Sequence, residues 1–172
     1  MLTPEGQETP QVSPSLDDLS YTSALLNHAS RRLNDAVETL DDALQKLNLG
    51  VDAWIDTWSK DSDPTQVWEY EEIGYAKIKG SWCIGIRLTL ENMGNKPDPE
   101  VKEWQFREAP RDLRIRNARY LKKLIEKINE EASAKALAIE ENANETEKLA
   151  EVIVNAAEAS KNRLKAAMKG GR

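Results

Sequence analysis

Histidine is the side chain most often used for acid and base catalysis near neutral pH, and this chain has only His28. Cys83 is the only cysteine, so neither an internal disulfide nor a zinc site built from several cysteines can form within the chain. The eight glycines form no phosphate-binding loop. We therefore predict no catalytic and no cofactor-binding residues. We expect His28 to be solvated or partly packed, and Cys83 to be a small apolar residue in a strand.

Carboxylates are the remaining candidates for metal binding or acid-base chemistry. Neighbouring residues on a helix do not face each other, so adjacent acidic pairs are typical of solvated faces. The spacing Asp61-Ser62-Asp63 lacks the rest of a twelve-residue calcium loop. We predict no metal site. The least favoured of three functional hypotheses is an enzyme that uses some of these carboxylates beside a tryptophan-rich sheet. The adjacent pairs are Asp41-Asp42, Glu71-Glu72, Glu130-Glu131 and Glu140-Glu141.

Basic residues cluster where a second helix should begin. A helix amino terminus carries partial positive charge, so arginines there need anions nearby. Arg114 falls on the apolar face and is predicted to need a buried partner, such as an acid of the first helix. The others form an exposed face and are candidates for contact with an anion or with nucleic acid: Arg111, Arg116, Arg119, Lys123 and Lys127.

Three kinds of anion fit this basic face: acids of the same chain, a partner protein or a nucleic-acid backbone. Residues 1–72 hold 15 acids and 4 bases, whereas residues 107–127 hold 8 bases and 3 acids. The formal net charge is −6, which would repel a polyanion. The charge pattern therefore favours pairing within or between chains, with nucleic-acid binding as the alternative.

A leucine repeat defines the first long helix, predicted over 16–49. Ser15 or Ser20 could cap its start, and Gly50 is suited to end it. Leucine recurs every seventh residue from Leu19 onward, with alanines at alternate layers, which is the pattern of a helix that pairs along one face. The predicted interaction residues of this helix are Leu26, Leu33, Leu40 and Leu47.

Residues 51–108 are predicted to form an antiparallel β-meander of three or four strands. We expect a strand at 51–58, then strands at 67–79 and 81–90 that meet in a tight turn at Lys79-Gly80. Residues 101–107 make the last strand. All five tryptophans lie between residues 54 and 104, where we expect them to anchor the sheet against the helices. An aromatic recognition surface is the alternative.

The second helix is predicted over 110–168, because neither glycine nor proline occurs between Pro110 and Gly170. Asn142, Asn144 and Thr146 are weak helix formers, so a break near 142–145 is the alternative to a continuous helix, which we favour. At ~1.5 Å per residue this helix would reach ~87 Å, against ~50 Å for the first. Its apolar positions beyond the shorter helix are the other predicted interaction residues: Ala136, Ile139, Ala143, Ala150, Ile153 and Ala157.

These patterns predict an α+β fold, mainly helical, in which two long antiparallel coiled-coil-like helices flank the small sheet. Residues 16–168 form a single domain between a disordered tail at 1–15 and a short tail at 169–172. We expect a cytoplasmic, non-enzymatic interaction or scaffold protein that self-associates as a homo-oligomer or docks a protein partner through its helices. No run is apolar and long enough to suggest a membrane partner.

Overall fold

The computed structural model describes residues 15–62, 67–92 and 98–169. Its strands form one antiparallel sheet in the order β1-β2-β3-β4, and its helices lie before and after the sheet in sequence. The α+β, mainly helical fold class is therefore confirmed. In chain order the elements are α1 (Leu16–Leu47), β1 (Ala53–Ser62), β2 (Val67–Ile78), β3 (Ser81–Asn92), β4 (Glu100–Gln105), a 3-10 turn (Phe106–Glu108), α2 (Arg111–Ala118) and α3 (Leu121–Lys169).

The start of α1 is capped as the sequence predicts. The Ser15 hydroxyl accepts a hydrogen bond from the Asp18 amide at 3.1 Å, and the Asp18 carboxylate accepts one from the Ser15 amide at 3.3 Å. The end differs from the prediction, because α1 stops at Leu47 and Asn48 takes the left-handed conformation with φ 48°. Asparagine tolerates this conformation because its short polar side chain can bond locally. Gly50, predicted to end the helix, follows in the loop with φ 58°.

The predicted strands are present with shifted ends. The first runs over Ala53–Ser62 rather than 51–58, and Lys79 and Gly80 both have positive φ, as a two-residue hairpin turn requires. The last strand ends at Gln105, because Phe106 turns into the core with 2% of its surface exposed. Of the predicted tails at 1–15 and 169–172, Ser15 instead caps α1 and Lys169 instead ends α3. The rest of both tails, and the connections at 63–66 and 93–97, lie outside the described residues.

One face of the sheet carries the main core. Ile73, Ile84 and Ile86 have no exposed surface and face the helices, where Leu124 and Ile128 of α3 pack against them. Alternate residues of a strand point to one face, so this set follows directly from the strand pattern. The core thus involves only the first three turns or so of α3, as far as Ala132.

α1 covers the end of β3 that β4 leaves unpaired. β4 pairs with β3 only over residues 85–90. Beyond that point the Asp41 carboxylate accepts a hydrogen bond from the Ile84 amide at 2.6 Å, and the Gln45 side chain donates to the Trp82 carbonyl at 2.9 Å. Side chains one helical turn apart therefore satisfy a strand edge that would otherwise attract another strand.

The two long helices run in the same direction, not antiparallel as predicted. Along α1, Asp41 meets Ile84 and Gln45 meets Trp82, so α1 runs opposite to β3. The hydrogen bonds of Asn117 to Thr57 and of Lys135 to Gly50 show that α2 and α3 run opposite to β1. β1 and β3 share a direction because each is antiparallel to β2. The backbones of both helices approach the sheet more closely than they approach each other.

The second helix is interrupted once, between α2 and α3, where the sequence predicted a continuous helix. α2 ends at Ala118, and the Tyr120 amide bonds to the Asn117 carbonyl in a tighter turn before α3 begins. Across residues 142–145 the helix is continuous, as we favoured. The Thr146 hydroxyl donates a hydrogen bond to the Asn142 carbonyl at 2.7 Å, so this polar side chain finds its partner within the helix.

The contact of α1 with β3 should depend on pH. Burial is the main cause that raises the pKa of Asp41 from 3.8 to about 6, partly opposed by the hydrogen bond from Ile84. Because this value lies above the unfolded one, the folded state binds the extra proton and stability falls as pH rises from 3.8 to about 6. Asp41→Asn keeps an acceptor for Ile84 without the charge, and should raise stability at pH 7 by about 1 kcal/mol after solvent screening.

Chemical denaturation of both proteins between pH 3.5 and pH 8 measures this effect. Asp41→Ala is the matched control, since it removes both the charge and the acceptor, and it should be about 1 kcal/mol less stable than Asp41→Asn at every pH. If the free energy of unfolding of Asp41→Asn varied with pH as steeply as that of the wild type, another group would cause the pH dependence.

Candidate protein-interaction surface

α3 leaves the core and continues as an isolated helix. Lys135 makes the last hydrogen bond that we see between α3 and the rest of the described chain, donating to the Gly50 carbonyl at 2.8 Å. From there every residue through Ala166 is exposed. We call residues 136–166 the α3 arm. At ~1.5 Å per residue, its 31 residues extend about 46 Å beyond the core.

An apolar line runs along the α3 arm at alternating spacings of three and four residues. Its large side chains are widely exposed, with 61% of Ile139, 59% of Ile153 and 64% of Leu164 accessible to solvent. The small residues between them leave a shallow groove of about 470 Å³ around Ala143. We call this line the arm seam: Ala136, Ile139, Ala143, Thr146, Ala150, Ile153, Ala157, Ser160 and Leu164.

More apolar side chains flank the middle of the arm seam. Leu149, Val152 and Val154 are 60%, 64% and 56% exposed. Together with Ile153 they make residues 149–154 apolar on most sides of the helix. Monomeric proteins rarely leave contiguous apolar surface of this kind in water, and such surface commonly marks an interface.

The leucine repeat of α1 is placed differently from its prediction. Leu33 and Leu40 pack at the border of the core, while Leu26 and Leu47 are 46% and 64% exposed. The most buried residues of α1 are Val37 and Leu44, at 3% and 5%. This offset arises because α1 packs on a sheet, which contacts a broader face than the narrow line of a paired helix.

The predicted basic face is largely bonded within the chain. Arg116 forms a 2.5 Å ion pair with Glu71, and Lys127 forms one of 2.7 Å with Glu131. Arg111 donates to the Asn27 side chain at 3.0 Å. Arg119 and Lys123 are exposed. The structure therefore does not gather the five candidate residues around one empty anion site.

Arg114 has an internal partner, though not an acidic one. Its guanidinium donates a short hydrogen bond to the Asn34 side-chain carbonyl on α1. Its Nε is buried and has no hydrogen-bond partner among the described residues. The predicted partner on the first helix is present, but it is a partly buried amide rather than a buried acid.

A buried polar cluster joins α2 to the sheet, and the sequence analysis did not anticipate it. The Glu71 carboxylate is 2% exposed and accepts hydrogen bonds from Arg116 and, at 3.2 Å, from the Asn117 side chain. The Thr57 hydroxyl lies 2.6 Å from Asn117 Oδ1, and a β-bulge in β1 falls at Thr57. Strand alternation could have signalled this cluster, because Glu71 shares the core face with Ile73.

The tryptophans divide between the two faces of the sheet. Trp82 and Trp104 pack on the helix-facing core, as predicted. Trp54 lies on the opposite face, where it covers Gly74 so closely that a Cβ there would overlap its ring, and the Arg87 guanidinium lies 3.8 Å above the ring centre. Arg87 also pairs with Glu103 at 2.8 Å. These contacts cover the Trp54 ring, which leaves little of it to stack on a ligand.

The residues with nucleophilic or titratable potential are dispersed. His28 is exposed on α1, and burial raises the pKa of the Cys83 thiol to about 11, so it stays protonated at neutral pH. A cleft of about 230 Å³ lies beside Cys83, below the ~300 to 1,000 Å³ of ordinary ligand sites. In the described part of the chain, no group of three or more metal-ligating side chains is placed to hold an ion.

None of the helices within the described residues combines the length and apolarity that crossing a bilayer requires. This finding includes α3, whose apolar residues alternate with charged ones along its full length.

Protein-family models, curated proteins and solved structures were compared with the chain, and none matches it. Its function must therefore be inferred from its own residues.

The buried Glu71 carboxylate should need Arg116 for stability. Arg116→Gln leaves this carboxylate without its cation, and we expect a loss of about 1 to 3 kcal/mol in the free energy of unfolding, below the full cost for a buried pair because Arg116 is 46% exposed. Lys123→Gln is the matched control and should change stability by less than about 0.5 kcal/mol. If urea denaturation gave the same small loss of stability for Arg116→Gln as for Lys123→Gln, Arg116 would be dispensable for the fold and free to bind another anion.

Proposed function

We propose that this chain is a non-enzymatic interaction or scaffold protein that self-associates or docks a protein partner through its helices, principally through the α3 arm. The observation that supports this proposal is the exposed arm seam. It continues from the core, keeps its spacing from Ala136 to Leu164 and has no cover within the described residues.

The energetics of an isolated helix support the same proposal. Most helical stability in proteins comes from packing along one face rather than from intrinsic propensity. The arm contains several residues that favour helix less than alanine by about 0.5 kcal/mol each, among them Asn142, Asn144, Val152 and Val154. A partner packed on the arm seam would supply the stabilisation that the arm lacks alone.

The nucleic-acid alternative has less support from the geometry. Its strongest candidate, Arg116, is paired with the buried Glu71, and Lys127 is paired with Glu131. Exposed Arg119 and Lys123 remain, but flanking acids such as Glu126 and Glu130 would repel a phosphate backbone. Steeply salt-dependent binding to DNA or RNA would revive this alternative. The proposal also assigns the protein to the cytoplasm, where a protein partner or a second copy would meet it.

Site-specific photo-crosslinking in cells tests the proposal. A photoreactive residue at position 153 of the full chain lies in the arm seam, and one at position 155 lies two residues away on the opposite side of the helix. We expect adducts to a second copy or to another protein from position 153, with few from position 155. The proposal would be wrong if neither position gave adducts and the purified protein sedimented as a strict monomer at high concentration.

A further inference from the structure

We infer that the occupant of the arm seam is the α3 arm of a second copy of this chain, packed antiparallel to the first so that the end of each arm lies beside the start of the other. This inference rests on the proposed function and assigns its partner and geometry. Two observations carry it independently: the distribution of charge along the arm and the register of its apolar residues.

Charge divides the arm into two unlike halves. Residues 140–151 contain five glutamates and one lysine, whereas residues 158–166 contain three basic residues and one glutamate. An antiparallel pair places each acidic half beside a basic half. A parallel pair would place like charges together, which disfavours it. The arm is therefore complementary to itself in the antiparallel orientation only.

The most apolar part of the arm lies between these halves. Residues 149–154 carry Leu149, Val152, Ile153 and Val154, all more than half exposed. A twofold axis through this segment would bring it against its own copy, and interfaces of this symmetric kind are the commonest in homo-oligomers. An axis at the centre of this segment places residues 140–151 beside residues 152–163, which carry Lys161 and Arg163 and a single acid, Glu158.

The seam spacing fixes the layers of such a pair. From Ala136 onward, spacings of three and four alternate without interruption, which defines heptad positions a and d through Leu164. In an antiparallel coiled coil each a residue lies in a layer with a d residue of the other helix. With the axis at residues 151–152, Ile139 meets Leu164 of the second copy, Thr146 meets Ala157, and Ala150 meets Ile153. The alanines in these layers allow the two backbones to approach closely.

The same register predicts an ion pair that borders the layers. The position that follows d on one helix lies beside the equivalent position on the other, which puts Glu140 next to Lys161 of the second copy. Symmetry forms this pair twice. Both side chains are exposed in the single chain and make no ion pair among the described residues.

Charge reversal in the full chain tests whether a second copy occupies the arm seam and whether the two arms run antiparallel. Glu140→Lys alone, or Lys161→Glu alone, creates two repulsive contacts per dimer and should weaken self-association roughly tenfold, measured by sedimentation equilibrium. An equimolar mixture of the two variants should recover wild-type affinity, because each mixed dimer regains both attractive pairs. Glu141→Lys is the control, since it makes the same charge change on the outward side of the arm and should have little effect.

Disulfide trapping reports the direction separately. Ile139→Cys and Leu164→Cys chains should form a mixed disulfide with each other and little disulfide with themselves. A disulfide between two Ile139→Cys chains, or no recovery in the charge-reversal mixture, would overturn the antiparallel inference while leaving the proposed function standing. A purified protein that stays monomeric while position 153 crosslinks to a different protein in cells would overturn the second copy as occupant. If the purified protein stayed monomeric and position 153 gave no crosslinks in cells, both the proposed function and the antiparallel dimer would be wrong.

Discussion

A helix in water is held together mainly by what packs along one of its faces, and α3 has such packing only near its start. Leu124 and Ile128 are buried against the sheet, and Lys135 bonds to the loop after α1. The α3 arm, which follows Lys135, keeps the same spacing of apolar residues but packs against no other described part of the chain. This mismatch between a continuous pattern and a short core is the constraint from which the functional inferences above derive.

The short core is nevertheless firmly attached to the base of α3. Two sets of hydrogen bonds attach the helices to the sheet. Asp41 and Gln45 of α1 bond to the unpaired edge of β3. Asn117 of α2 bonds to Thr57 of β1 and Glu71 of β2. Both use hydrogen bonds that are specific in position, whereas apolar packing alone tolerates sliding. Arg116 lies in the last turn of α2, where the helix dipole favours a basic residue, and its ion pair there compensates the buried carboxylate of Glu71.

Sequence periodicity predicted the elements well and their mutual arrangement less well. The alternation in β2 and β3, the Lys79-Gly80 turn and the Ser15 cap depend on local residues, and all three are present. The direction of α1 relative to α3 depends on which strand each helix covers, which no local pattern encodes. The turn at Arg119 and Tyr120 was also missed, because it contains neither glycine nor proline and coincides with a buried cluster formed by residues distant in sequence. The arm residues were predicted by spacing, but their exposure depends on how far the sheet extends.

The shared direction of α1 and α3 also determines the shape of the molecule. The first turns of α1, from Leu16 to Leu26, are exposed beyond the contact of Asn27 with Arg111, while the arm leaves the core at the other end, beside Gly50. The core therefore carries a helical extension at each end. Because no proline or glycine interrupts α3 between the sheet and the arm, the helix acts as a stiff lever. A partner bound to the arm would therefore also set the distance and the orientation of the sheet relative to itself.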